Sequence, residues 1–173
     1  MKAALIRFKQ SGNLHLVINA IGFQCCWAAC VIGGSAWAAV VVPLFFIWHW
    51  RQRKANEVTL IFVVILFGTL HDSILLILGL FDFPEHSSFI IPLWLILLWA
   101  SFAATILHSM AWLLEKTWLA ALLGAIAAPW SYYAGSLLKS IELTPPALIS
   151  VALAWAILLA SISFWHQLKP AKQ

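Results

Sequence analysis

Long apolar runs separated by short polar turns dominate this chain. A helix needs about 20 apolar residues to cross a hydrocarbon core, at about 1.5 Å per residue. Six runs meet or approach that length, at approximately 13–33, 35–50, 57–81, 89–112, 118–138 and 146–166. The second is short and holds Pro43, which predicts a kink. "GGS" at 33–35 makes the first connection tight, and "DFPEHS" at 82–87 and "ELTPP" at 142–146 carry turn chemistry. The pattern predicts an all-α, six-transmembrane-helix bundle, a single domain over residues 1–173.

Composition points the same way. Hydrophobic residues make up 64% of the chain and charged residues 9%, where a soluble domain carries about 25% charged residues. The net charge of +4 does not imply nucleic acid, because the basic residues fall between the apolar runs and not along one face. Of the ten Lys and Arg residues, all but Lys139 share one side if the N-terminus is cytoplasmic: Lys2, Arg7, Lys9, Arg51, Arg53, Lys54, Lys116, Lys169 and Lys172. The positive-inside rule then predicts both termini inside. Trp48, Trp50, Trp112, Trp118 and Trp165 fall at that same interface, as an aromatic belt does. The basic N-terminus followed by "SAWA" resembles a signal peptide, but further spans follow at once, which predicts an uncleaved first helix. The loops are too short for an extramembrane domain, so function is expected inside the bundle, at its mouths or on its lipid-facing surface. The two halves show no sequence repeat that would indicate an inverted-repeat transporter.

Asp72 interrupts the third run near its middle, where an ionised carboxylate costs about 2.5–3.5 kcal/mol on insertion scales. Gly68, Asp72, Leu75 and Gly79 form one helical stripe, and its glycines permit close approach of another helix. Asp72 is therefore expected to point into the bundle. Other runs carry matching stripes: His15, Asn19, Gly22, Cys26, Cys30 and Gly33, with Gln24 offset; Ser101, Thr105, His108 and Trp112, with Ser109 adjacent; and Ala120, Gly124, Ala128, Ser131 and Gly135, with Tyr132 and Ser136 nearby. The last run shows Ala152, Ala156 and Ala160, read as plain packing. By depth, Gln24, Ser101 or Tyr132 could hydrogen-bond Asp72. His108 should lie roughly 15 Å away along the membrane normal, from the helical rise.

These residues support several chemistries unequally. The candidate catalytic groups are Asp72, His71 and Tyr132, and the candidate binding set is Asn19, Gln24, Asp72, Ser73, Ser101, Thr105, His108, Ser109, Ser131 and Tyr132. His71 lies about 100° round the helix from Asp72 and need not share its site. Catalytic zinc takes three protein ligands at one depth, whereas His71 and His108 differ in depth and His15, His49, His86 and His166 lie near the interfaces. No metal and no cofactor is expected. "CCWAAC" has no second cysteine pair and reads as packing, and adjacent His108 and Ser109 diverge, as a serine nucleophile and its base would not. Pro129 before Trp130, Ser131, Tyr132 and Tyr133 can open a pocket.

The stretches "NAIGFQCCWAACVIGG", "LHDSILLILGLF", "PLWLILLWASFAATILHSMAWL" and "LAALLGAIAAPWSYYAGSLL" resemble the bacterial domain-of-unknown-function family 2878, over most of residues 13–138. The resemblance implies a small multi-pass inner-membrane protein and brings no catalytic residue with it. It also implies, through gene neighbourhoods with fatty-acid methyltransferases and lipid-modifying oxidoreductases, a role in membrane-lipid modification or envelope stress. The expected function is an accessory or scaffold protein. Its expected partners are membrane lipids, or a lipid-modifying enzyme at the cytoplasmic face, where Arg51, Arg53 and Lys54 either set topology or meet anionic head groups. The alternatives are a small proton-coupled transporter titrating on Asp72 and a membrane-embedded lipid-active enzyme.

Overall fold

The computed structural model describes residues 2–84 and 86–168, with side chains from Leu14 onward. The side chains of Lys2, Arg7 and Lys9, and residues Lys169 and Lys172, lie outside that description. Among the described residues the chain is mostly helical: α1 (Lys2–Trp50), α2 (Glu57–Ile77), α3 (Leu93–Ile106), α4 (Thr117–Leu137) and α5 (Pro145–Leu168). Two short strands, β1 (Phe81–Asp82) and β2 (Glu142–Leu143), pair antiparallel with Phe81 opposite Leu143. The fold is all-α in architecture, and three helices are long and apolar enough to cross a membrane: the 14–50 part of α1, α2 and α5.

The helix α1 is broken at Gly34, whose φ of 62° and ψ of −157° are open only to glycine. The chain doubles back there, because a Cβ on Gly22 would meet the Phe45 ring at 2.7 Å. The two limbs bury Asn19, Cys26 and Cys30 on one side of the break, and Ala38, Val42, Phe45 and His49 on the other. Along α2 the buried stripe is Glu57, Leu60, Val64, Gly68, Asp72 and Leu75. Gly79 does not extend that stripe. It lies beyond the helix at φ 68°, as the C′ residue of a Schellman cap with Gly79 N–H on Leu76 O at 3.0 Å and Leu80 N–H on Leu75 O at 2.9 Å.

Shorter than its run, α3 starts only after Pro92 and stops at Ile106. Beyond it a turn and a 3-10 helix (Ala111–Glu115) carry the chain to α4. The end of α4 mirrors that of α2: Lys139 N–H bonds Ser136 O at 3.0 Å and Ser140 N–H bonds Gly135 O at 3.1 Å. Both helices are 21 residues long, and each cap leads into one strand of the small sheet. This likeness is in backbone capping and not in residue type, which is why no repeat is legible in the sequence.

The surface is apolar, and the apolar interior encloses most of the polar groups of the spans. Ile32, Trp37, Leu44, Phe62, Leu78, Trp130 and Leu153 are exposed, while Asn19, His49, Glu57, Asp72, Ser101, Thr105, His108 and Ser163 are buried. Where the solvent is apolar, close packing and interhelical hydrogen bonds hold helices together. Two glycines allow close approach between separate helices: a Cβ on Gly68 would lie 2.0 Å from the Trp99 ring, and one on Gly124 would lie 2.7 Å from the Trp155 carbonyl oxygen. On α5 the buried stripe is Ala147, Val151, Ala154 and Leu158, not the expected Ala152, Ala156 and Ala160. Small size alone does not choose the packing face; the approach at Gly124 does.

Candidate functional site

Asp72 is fully buried and takes hydrogen bonds from three directions. Its Oδ2 accepts from the Tyr132 hydroxyl of α4 at 2.6 Å and from the Trp99 indole N–H of α3 at 2.8 Å. Its Oδ1 lies 2.8 Å from His71 Nδ1. A carboxylate only accepts, so Nδ1 carries the ring proton and Nε2 accepts from the Ser150 hydroxyl of α5 at 3.1 Å. One acid thus ties α2 to α3, α4 and α5. The cost of burying it is offset by donors of which two, Trp99 and Tyr132, are themselves buried.

The helical angle between His71 and Asp72 left open whether they share a site, and the structure joins them. Cα directions 100° apart do not keep two side chains apart when both curl toward the same gap, and here they bond directly. Trp99 and Ser150 were not legible as partners. An indole reads as packing in an apolar run, and Ser150 sits in a run without ionisable residues. Of the expected Asp72 partners, only Tyr132 bonds it. The Ser101 hydroxyl donates to Leu97 O within its own helix at 2.9 Å, and Gln24 lines a neighbouring cavity. Ser73 accepts from Ile91 N–H at 3.1 Å, fixing the loop before α3. Ser131 accepts from the Trp27 indole at 2.9 Å. Thr105 donates to Phe102 O at 2.6 Å.

Beside the Asp72 node lies a cavity of about 510 Å³ between α1, α3, α4 and α5. Its walls include Phe23, Trp27, Trp99, Phe102, Tyr132 and Trp155, and the exposed Trp112 and Trp130 stand on its rim. Trp99 and Trp155 stack at 4.5 Å and Tyr132 stacks on Phe81 at 5.5 Å, so the rings around Asp72 are fixed by packing as well as by hydrogen bonds.

A second polar group occupies the other end of α2. Glu57, its first residue, lies about 22 Å from Asp72 along the helix, at about 1.5 Å per residue. His108 follows α3 and does not pair with Asp72, as expected. Instead its Nε2 lies 2.9 Å from Glu57 Oε1, and His49 Nε2 lies 3.1 Å from the same oxygen. Lys54 N–H donates to Glu57 Oε2 at 2.6 Å. Nearby, Asn19 accepts from the Ser109 hydroxyl at 2.7 Å and donates to Ala104 O at 3.2 Å. The expectation that no three ligating side chains share a depth is corrected here. The turn between α1 and α2 returns Glu57 beside His49, and the early end of α3 puts His108 at the same level. Glu57 was missed entirely; its signal was a lone acid opening an apolar run, eight residues after a histidine.

An all-α chain with an apolar exterior, clusters of polar side chains buried in its core and three helices long and apolar enough to cross a membrane is the class this arrangement defines. The family model for "Protein of unknown function (DUF2878)" matches residues 16–161, and the chain belongs to that family. No curated protein matches it, and no solved structure does.

Proposed function

We propose that this is a multi-pass membrane protein that holds the apolar part of a membrane lipid in the cavity beside Asp72, as an accessory component of lipid modification in a bacterial inner membrane. In this reading the chain crosses six times with both termini inside, the two limbs of α1 counting separately. The observation that carries the lipid assignment is the cavity itself. Its volume of about 510 Å³ lies within the range of about 300–1,000 Å³ usual for ligand sites, and its walls are aromatic and aliphatic. The polar groups in its lining are few: Gln24, Ser131, Tyr132 and the indole N–H groups of its tryptophans. An acyl or isoprenoid chain entering between Trp112 and Trp130 would come from the surrounding bilayer.

The test is lipid retention and lipid composition together. Ala127 is exposed at the cavity mouth, so Ala127→Trp fills the entrance without disturbing the core. Wild-type protein purified in detergent should carry lipid in a fixed ratio, and Ala127→Trp should lose it. A deletion strain should show an altered lipid profile, restored by wild type and not by Ala127→Trp. Equal lipid retention by both proteins would end the proposal.

One observation favours a second reading, a lipid-active enzyme. Ser150 Oγ, His71 Nε2, His71 Nδ1 and Asp72 Oδ1 form a chain in the order nucleophile, base and orienting acid. Acyl transfer would pass the Ser150 proton to Nε2 as Oγ attacks an ester carbonyl. The Trp99 and Tyr132 donors, however, are spent on Asp72 and do not serve an oxyanion. A fluorophosphonate probe that labels wild type but neither Ser150→Ala nor His71→Asn would move the assignment to this enzyme.

A further inference from the structure

We propose that His49, Glu57 and His108 form a binding site for a divalent first-row transition ion, with Nε2 of each imidazole and the Glu57 carboxylate as ligands. The ligand atoms of all three lie within 4.8 Å of one another, and all three residues are buried. Each comes from a different element: the end of α1, the start of α2 and the turn after α3. Two imidazoles and one carboxylate are the donor set of hydrolytic zinc centres and of non-haem iron centres, both of which keep further coordination positions open. A third imidazole, His15, stands edge-on to His108 at 6.0 Å between ring centroids.

The choice of partners argues against a plain structural ion pair. Arg51, Arg53 and Lys54 lie within six residues of Glu57, and any of them carries a permanent charge. None supplies it to the carboxylate among the described residues. The Lys54 ammonium donates to the Leu107 carbonyl oxygen, and Arg53 lies over the Trp50 ring at 4.2 Å. Glu57 takes two imidazoles instead. A buried carboxylate faced by two imidazoles and by no Lys or Arg side chain among the described residues is a donor set that a divalent cation complements.

The far side of each ring gives an independent observation. Each Nε2 faces the Glu57 carboxylate, and on the far side neither buried Nδ1 has a partner among the described residues. Buried unpaired polar atoms call for a bound water or ion. A metal bound through Nε2 holds the ring proton on Nδ1, which then donates to water.

The full-length protein, purified in detergent with a histidine-free tag, is assayed for metal by elemental mass spectrometry. It is then stripped with a chelator and titrated separately with Zn²⁺, Co²⁺ and Fe²⁺, the cobalt complex being followed by its visible absorption. The expected result is one saturable equivalent per chain, weakened at least tenfold by Glu57→Gln and by His49→Gln. Asp72→Asn, about 22 Å from Glu57 along α2, and Ala127→Trp, which changes none of the three ligands, should leave it unchanged; metal and lipid results are therefore separable. Should either ligand variant fail to fold, the wild-type titration still decides. A monodisperse stripped protein that binds none of the three ions saturably at micromolar concentration overturns the site.

Discussion

Tyr132 donates a 2.6 Å hydrogen bond to Asp72, joining α4 to α2 between residues 60 positions apart. With the Trp99 donor at 2.8 Å, it makes one carboxylate oxygen the meeting point of three helices. Hydrogen bonds to charged groups contribute about 1.5–3 kcal/mol in soluble proteins, and interhelical bonds in membranes often less. Tyr132→Phe and Trp99→Phe should each destabilise the detergent-solubilised protein by about 1–2 kcal/mol. In Asp72→Asn the same two changes should cost less, because an amide oxygen is a weaker acceptor for the two donors than a carboxyl group that both helices pack around. Denaturant unfolding of the double-mutant cycle checks this, and strict additivity would contradict it.

Gly68 is where α2 and α3 come closest. A Cβ there would fall 2.0 Å from the Trp99 ring, so even Gly68→Ala must displace the indole from Asp72. Overpacking of this kind costs about 1–3 kcal/mol. The expected readout is a lower unfolding midpoint together with a shift in tryptophan emission. An unchanged midpoint would place the two helices further apart.

Two backbone positions should respond with opposite signs. Gly34→Ala forces a side chain into a glycine-only conformation, at about 1–3 kcal/mol. Lys139 occupies the left-handed region at φ 59°, where its counterpart on α2 is Gly79. Lys139→Gly should therefore stabilise by about 0.5–1 kcal/mol. Thermal unfolding of the two variants side by side reads both signs at once.

The proposed six crossings place the Arg51–Lys54 turn inside and the 82–90 loop outside. Single cysteines at Arg53 and Ser87, in a background with Cys25, Cys26 and Cys30 replaced by Ala, should react with an impermeant thiol reagent from opposite faces of sealed vesicles. Labelling of both from one face would remove the six-crossing topology.

Much of the helical pattern was legible because long apolar runs bounded by turn residues leave a chain of this composition few alternatives to helices. Gly34 marks its boundary in the sequence, whereas the run read as starting at 89 becomes helical only after Pro92; the inward stripe around Gly68 and Asp72 follows from the cost of exposing an acid to an apolar solvent. The site was legible only in part. Asp72 and Tyr132 stood out as polar groups at matching depth and do meet. Trp99 did not, because an indole shows its donor only when an acceptor is seen beside it. Glu57 did not, because its burial depends on how the α1–α2 turn closes over it. Whether His71 shares the Asp72 site was left open, since helical angle describes Cα positions and not where side chains end.

The sequence by itself determined that this chain is apolar outside and helical, and that its few polar residues must turn inward. These follow from solvent and spacing, which are properties of local pattern. Only the tertiary structure decided which polar residues meet: Asp72 with His71, Trp99 and Tyr132, and Glu57 with His49 and His108. The reason is physical. Partnership needs a match of depth, rotation and side-chain reach across several helices, and no single stretch of chain contains those distances.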